Sequence, residues 1–285
     1  MSKYVIMTDS ACDIAQSVLT EWGIDAVKMS YSFENGQGDN DITSKDFYAR
    51  MRAGEVAKTS AVNPDTFINA FASVLEQGND ILYLAFSSGL STTCNSACIA
   101  AEELADKFPE RKIVVVDSLC ASAGQGLFVY LVNQKKLAGA SLDEAAEYAE
   151  QIKLNICHWF TVDDLVYLKR GGRVSPAVAF VGGMLGIKPV MHVDNEGHLV
   201  SVDKVRGRKA AIQALAKKLE ETALDKENGE IFISHGDCID DANALADIFA
   251  QKWNAKVNII TDIGAVIGAH SGPGTLALFF VGKER

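Results

Sequence analysis

The sequence predicts an α/β protein in two parts: a parallel-sheet α/β/α domain over residues 1–159 and an α+β domain over residues 160–285. Three observations carry this. Strand-length apolar runs alternate with helix-period segments through the first half, the rhythm of a parallel sheet flanked by helices. One of those runs, "KIVVVDS" at 112–118, is almost all Val and Ile, as expected of a strand buried on both faces. Around 156–175 the rhythm breaks into the charge- and Gly-dense "CHWFTVDDLVYLKRGGRVSP", and hairpin and helix patterns mix after it.

Taken in order, "KYVIMTD" reads as a strand and "CDIAQSVLTEW" as a helix capped by Asp13 or a neighbour. "IDAVKMSYSF" reads as a second strand and "ENGQGDND" as a turn-rich loop. "TSKDFYARMRAG" is a helix with Thr43 as N-cap and Gly54 as its stop. Asn63 precedes Pro64 and should be extended, and Pro64 suits the first turn of a helix running to Gln77. "DILYLAF" is a strand and "LSTTCNSACIAAEELADKF" a helix, and after "KIVVVDS" come helices around 120–137 and 141–154. In the second half "KPVMHVD", the turn "NEGH" and "LVSVDKV" form a hairpin, and "RKAAIQALAKKLEE" is an amphipathic helix. "GEIFISHGD", a helix to Gln251, "KVNIITDIG" and "GTLALFFVG" complete the pattern.

Composition narrows the function. The chain has 285 residues, 48% apolar and 22% charged, enough to bury a substantial core. Its formal charge of −10, from 27 basic and 37 acidic residues, argues against nucleic acid as the main partner. No apolar run is long enough for a transmembrane span and no export signal is visible. The six cysteines, at 12, 94, 98, 120, 157 and 238, therefore read as reduced thiols, and the expectation is a cytoplasmic protein. A P-loop, a dinucleotide fingerprint, H-E-x-x-H and G-x-S-x-G are all absent. Asp9, Asp117 and Asp237 would hold a metal only if they converged, and no metal or other cofactor is expected.

Chemistry concentrates at the strand ends. Thr8, Asp9 and Ser10 close the first strand; Thr59 and Ser60 lie in "KTS"; Ser87, Ser88, Ser91, Thr92 and Thr93 lie in "SSGLSTT"; Asp117 and Ser118 close "VDS". Open α/β sheets bind ligands beyond the carboxyl ends of their strands, where helix N-termini also offer free N–H groups. Any one of these hydroxyls suits an N-cap, but the cluster exceeds what capping requires. It describes a neutral, donor-rich cup for a small anion. Two further segments bear on it. "LKRGGRVS" concentrates Lys169, Arg170 and Arg173 in an acidic chain, although a solvated turn would look the same. "GAHSGPG" places His270 in a loop where it could donate to an anion or simply pack, and His235 is a weaker candidate. The runs 176–191 and 276–282 are rich in small and apolar residues, Gly182, Gly183 and Gly186 included, which fits close packing or a slot for a hydrocarbon tail.

In that order, "TDSACDI", "KTSAVNP", "SSGLSTT", "VDS", "LKRGGRVS", "LGIKPV" and "HSGPGT" resemble the motifs of the DegV family across nearly the whole chain. Two departures stand out: Thr92 occupies the position of Gly in the family's L-S-G-T, and "AVNP" replaces a commoner Gln-Pro. The resemblance implies a two-domain protein that holds a long-chain fatty acid between its domains. Some members are the binding subunit of bacterial fatty acid kinase and present the carboxylate to a separate ATP-dependent acyl kinase subunit for phospholipid synthesis. Carried over by motif, Thr59 and Ser91 would hold the carboxylate with His270 beside it, within a wider set of Ser60, Ser88 and Thr92. Arg170 and Arg173 would face the kinase subunit or the developing phosphate. No catalytic activity is implied for the chain alone, and transient contact with a membrane surface is compatible with this role. The alternative is a stand-alone enzyme related to dihydroxyacetone kinase, using His270 or His235 on a small polar substrate; a short polar pocket behind Ser91 would favour it, and a long apolar one the lipid carrier.

Overall fold

The computed structural model describes residues 3–34, 42–175 and 186–285. Its fold is the predicted mixed α/β arrangement. Four parallel strands, β1 (Tyr4–Asp9), β2 (Asp25–Val27), β5 (Asp80–Ala85) and β6 (Ile113–Asp117), form the first sheet in the order β2-β1-β5-β6. Helices α3 (Pro64–Leu75) and α4 (Thr93–Lys107) cover one face, and α5 (Ser122–Leu137) and α6 (Leu142–Ile152) the other. Asn63 is extended, and its side chain accepts from the Thr66 N–H, so the Pro64 helix starts as expected, although it stops at Leu75 rather than Gln77. The strand buried along its whole length is β5; β6 is an edge strand and only half-buried, so its Val/Ile run misled about its place.

The second sheet has six strands, β11-β10-β12-β7-β8-β9. It comprises β7 (Ile156–Thr161), the hairpin β8 (Ile187–Val193) and β9 (Leu199–Arg206), β10 (Ile231–His235), β11 (Ile259–Asp262) and β12 (Leu276–Val281), antiparallel except for β10 with β11. The amphipathic helix α8 (Arg208–Thr222) and α9 (Ile239–Trp253) pack Leu215, Leu219, Leu245 and Phe249 onto its outer face. Two short helices, α7 (Val166–Arg170) and α10 (Ala265–Ser271), lie near the junction. Between the two sheets runs α5, buried from Ser122 to Val129 and packed on β7, β10 and β12. Glycine permits that approach: a Cβ at Gly124 would stand 2.3 Å from His158 Nε2 and 2.6 Å from the Phe279 ring.

Two local expectations are corrected. "IDAVKMSYSF" is two strands in different sheets. Met29 donates its N–H to Ser10 Oγ (2.9 Å) instead of to a ladder, and the chain leaves the first sheet there. The next three elements, β3 (Ser30–Phe33), α2 (Ser44–Arg52) and β4 (Ala57–Ser60), form a separate flap in which β3 and β4 pair antiparallel. Thr43 does cap α2, accepting from the Asp46 N–H. The other correction is Asp13, which does not cap a helix: α1 (Gln16–Trp22) begins three residues later, and Asp13 takes a left-handed backbone (φ 51°) that aims its carboxyl elsewhere. The loop from 35 to 41 and the Gly182–Gly183 stretch of the apolar run lie outside the described residues. Among the described residues no helix is long and apolar enough to cross a membrane.

Candidate functional site

Where the flap, the strand ends of the first sheet and the inner face of the second sheet meet, they enclose a cavity of about 350 Å³. That lies within the roughly 300–1,000 Å³ range of small-ligand sites. Its rim is polar and its interior apolar.

The flap brings Thr59. Phe33, Phe47, Tyr48 and Met51 form one cluster with Ala269 of α10, and Tyr48 donates its hydroxyl to the Ile263 carbonyl at 2.8 Å. This clamp sets Thr59 Oγ1 2.8 Å from His270 Nε2. The other ring nitrogen, Nδ1, is buried and has no hydrogen-bond partner among the described residues. A Cβ at Gly171 would fall 2.1 Å from that nitrogen, so the first glycine of "KRGGR" is there for close approach to the imidazole. Burial, and then the nearby Arg173 guanidinium, push the His270 pKa down to about 4. At neutral pH it is an uncharged donor or acceptor.

The "SSGLSTT" loop supplies the facing rim. Ser91 Oγ accepts from the Thr93 N–H at 3.2 Å and lies 2.9 Å from Thr93 Oγ1. Ser91 therefore takes up the first N–H of α4 and lines the cavity at once. Ser88 and Thr92 also line it from exposed positions. The β8–β9 turn holds the loop in place: Ser87 Oγ donates to the Gly197 carbonyl at 2.9 Å, and a Cβ at Gly89 would meet Glu196 O at 2.7 Å.

Six of the eight residues singled out in the sequence come together on this cavity: Thr59, Ser88, Ser91, Thr92, Arg173 and His270. Arg173 is half-buried and donates Nε and Nη2 to the Leu90 carbonyl, at 3.1 and 2.8 Å. The other two stand apart. Ser60 follows Thr59 on a strand, so it points the opposite way and is exposed. Arg170 is exposed, with its guanidinium 5.9 Å from the Tyr167 ring.

Phe86, Phe160, Leu168 and Val193 wall the interior, and α10 adds Val266 and Ile267. Ala277 and Phe279 share one face of β12, so the small-and-large alternation of "LALFFVG" leaves open space beside Ala277. The floor carries groups that sequence reasoning missed. Ser122 lies there, and so does His158. His158 Nδ1 lies 2.9 Å from the Ile156 carbonyl while Nε2 accepts from the Ala121 N–H at 3.2 Å, which fixes the Nδ1–H tautomer. Burial holds the His158 pKa well below the usual value. Nothing local to "ICHWFT" announces this role. His235 lies off the cavity, 3.6 Å from Asp262.

The three carboxylates considered for a metal do not converge. Asp9 is enclosed by protein donors, Asp117 accepts from the Ser88 and Leu119 N–H groups, and Asp237 pairs with Arg52. Among the described residues no group of three or more His, Cys, Asp or Glu could hold a metal ion.

A family model described as "Uncharacterised protein, DegV family" matches residues 3–283. The chain belongs to the DegV family. A DegV domain-containing protein of Clostridium perfringens is 43% identical over 289 residues, covering 100% of this chain and 99% of its own. Among solved structures, a DegV lipid-binding protein of Thermotoga maritima is 30% identical and superposes with a TM-score of 0.86, covering 99% of both chains. A DegV protein of Thermus thermophilus, described as fatty-acid-binding, is 29% identical with a TM-score of 0.87, covering 98% of this chain and 99% of its own. A stearic-acid-binding protein from Eubacterium ventriosum is 26% identical with a TM-score of 0.88, covering 98% of both chains.

Proposed function

We propose that this chain binds a long-chain fatty acid, with the carboxylate at the rim formed by Thr59, Ser91 and His270 and the tail in the apolar interior. The observation that carries the reading is the cavity itself: the Thr59–His270 pair and Ser91 line about 350 Å³ of space otherwise walled by Phe, Leu, Val and Ile. Relatives described as binding fatty acids support it. Each methylene taken from water contributes about 0.8 kcal/mol, so a long tail gains on the order of 10 kcal/mol before entropic costs. A hydroxyl or imidazole contact contributes about 1 kcal/mol net. The tail supplies affinity and the rim supplies orientation. The apolar walls weigh against a stand-alone enzyme for a small polar substrate.

In this reading residues 1–159 bring the flap and the hydroxyl loop, and residues 160–285 bring α10 and the β12 wall. The carboxylate at the rim is presented to a separate ATP-dependent kinase subunit, with Arg170 facing that partner from its exposed position. Denaturing the purified protein and identifying by mass spectrometry what is released tests the reading. Long-chain fatty acids are expected, and recovery of small polar metabolites alone would overturn it.

Two substitutions separate the parts. Ser91→Ala is expected to weaken fatty acid binding about five- to tenfold. It should also cost about 1 kcal/mol of stability, because the Thr93 N–H loses its acceptor. Unchanged binding in a titration with a fluorescent fatty acid would leave Ser91 a purely structural residue. Arg170→Ala should leave binding within twofold and slow acyl phosphate formation in the presence of the kinase subunit. Loss of binding instead would place Arg170 in the pocket.

A further inference from the structure

The floor of the cavity is tied to α10 by a buried carboxyl that the binding reading leaves unused. Asp13 Oδ2 accepts from Ser122 Oγ at 2.5 Å, and Asp13 Oδ1 accepts from the Gly264 N–H at 2.9 Å. Its backbone carbonyl accepts from Thr261 Oγ1 at 2.9 Å. Ser122 lines the cavity floor, and Gly264 immediately precedes α10, whose far end carries His270. Both residues at this junction are shaped for the contact. Asp13 and Ser122 each hold a left-handed backbone, φ 51° and 54°, that costs a non-glycine residue energy. A Cβ on Gly264 would stand 2.8 Å from Asp13 Oδ1.

The hydrogen-bond chain can run either way. Ser122 Oγ also lies 2.9 Å from Ser234 Oγ, and either hydroxyl can donate. With Asp13 ionised, Ser234 donates to Ser122 and Ser122 donates to Asp13. With a proton on Oδ2, Asp13 donates to Ser122 and Ser122 donates to Ser234. Only hydroxyl protons rotate, and every heavy atom keeps its place.

We infer that Asp13 is a positioning residue for the cavity, and that it takes up a proton when an apolar tail fills the space against Ser122. The inference rests on the fatty acid reading above. Hydrocarbon in the cavity removes water from beside the Asp13–Ser122 pair and so disfavours the charged form further. Of the groups facing Asp13, the carboxylates Asp9 and Asp262 push in the same sense, while burial keeps the Cys12 thiol and the Tyr48 hydroxyl neutral. Asp9 and the thiol of Cys12 lie on its own segment, Tyr48 faces it from α2, and Asp262 faces it from β11, with His235 beyond. Burial, opposed by the Ser122 and Gly264 hydrogen bonds, has already raised the carboxyl to about 7, with Asp262 and Asp9 adding to the rise. Small further desolvation then changes its charge near neutral pH. His270 and His158, both shifted down, do not titrate there. Linkage is reciprocal: if binding favours the proton, the proton favours binding.

The test is calorimetric titration of the delipidated protein with palmitate, near pH 7.5, in two buffers of different ionisation enthalpy. Net proton uptake on binding is expected, and affinity about three- to tenfold tighter at pH 6 than at pH 8, since one unit of pKa shift is a factor of ten. Asp13→Asn keeps an acceptor for Gly264 and a donor for Ser122, so it imitates the protonated form. It should bind at pH 8 as the wild type does at pH 6, without the extra proton uptake. The ligand's own titration is common to both proteins, so the difference between them is the reading. Binding with the same proton uptake and pH profile in both proteins would overturn the role of Asp13. Binding by the wild type without proton uptake would do the same, even if the variant failed to fold. No binding by either protein at any pH would instead remove the fatty acid reading, and this inference with it.

Discussion

Ala277→Phe is expected to reduce the affinity for a long-chain fatty acid by about 100-fold or more without unfolding the protein. Ala277 is buried on β12, with its Cβ on the cavity beside Phe279. A phenyl ring there takes space that would otherwise hold about four methylenes of the tail. At about 0.8 kcal/mol each, their loss amounts to about 3 kcal/mol, a factor of more than 100 in the dissociation constant. Overpacking usually costs about 1–3 kcal/mol in a filled core. Here the ring enters open space, so the delipidated variant should melt no lower than delipidated wild type. The comparison must be made without ligand, because bound lipid raises the melting temperature by mass action. Unchanged affinity, measured by titration with a fluorescent fatty acid, would mean that the tail lies elsewhere.

That position illustrates what could be read in advance. The alternation of strands and helices and the break into a second unit are local patterns and give the fold class; the hydroxyls at strand ends give Thr59, Ser88, Ser91 and Thr92, whereas Arg173 and His270, also on the cavity, stay open in their Gly-rich loops until the family resemblance assigns them a place. The run "LALFFVG" fits close packing or a hydrocarbon slot equally well in sequence; only the structure puts Ala277 and Phe279 on the cavity face, side chains two apart on a strand lying on one side. The features that were not legible depend on contacts between distant segments. The chain leaves the first sheet at Met29, whose N–H goes to Ser10 Oγ, and the segment beyond it forms the flap that carries Thr59 through β3–β4 pairing and an aromatic cluster. The Val/Ile run of β6 cannot reveal that no further strand among the described residues pairs outside it in the sheet. Ser122 and His158 belong to the floor because α5 sits between the two sheets, and Asp13 leaves its own helix start to meet residues 109 and 251 positions away in the chain. Each of these is set by tertiary packing, which overrides the local preference of the segment.

Asp9→Ala is expected to be the most destabilising of the substitutions considered, by about 3–5 kcal/mol. The Asp9 side chain is fully buried and collects four donors: Tyr83 Oη at 2.7 Å, the Phe86 N–H at 2.9 Å, the Ala11 N–H at 3.1 Å and Gln125 Nε2 at 3.2 Å. Burial lifts its pKa above the ordinary aspartate value, and the donors pull it back. Truncation leaves three buried donors without an acceptor, Gln125 Nε2 keeping Thr8 Oγ1 at 2.9 Å, and each orphaned donor costs about 1–3 kcal/mol before relaxation or water entry reduces the sum. In thermal unfolding of the delipidated protein this corresponds to a fall of about 5–8 °C. Tyr83→Phe removes one donor and keeps the acceptor, so it should cost about 2 kcal/mol. A fall for Asp9→Ala no larger than that for Tyr83→Phe would show that the carboxyl does not organise the network. The consequence reaches the rim as well. Phe86 directly follows β5 and starts the loop that carries Ser88 and Ser91, and its N–H is fixed by Asp9. Where Asp9→Ala remains folded at low temperature, Ser91 should lose its place opposite the Thr59–His270 pair and fatty acid affinity should fall by at least as much as in Ser91→Ala. The T-D-S motif then acts on the ligand through the loop it anchors, without touching it.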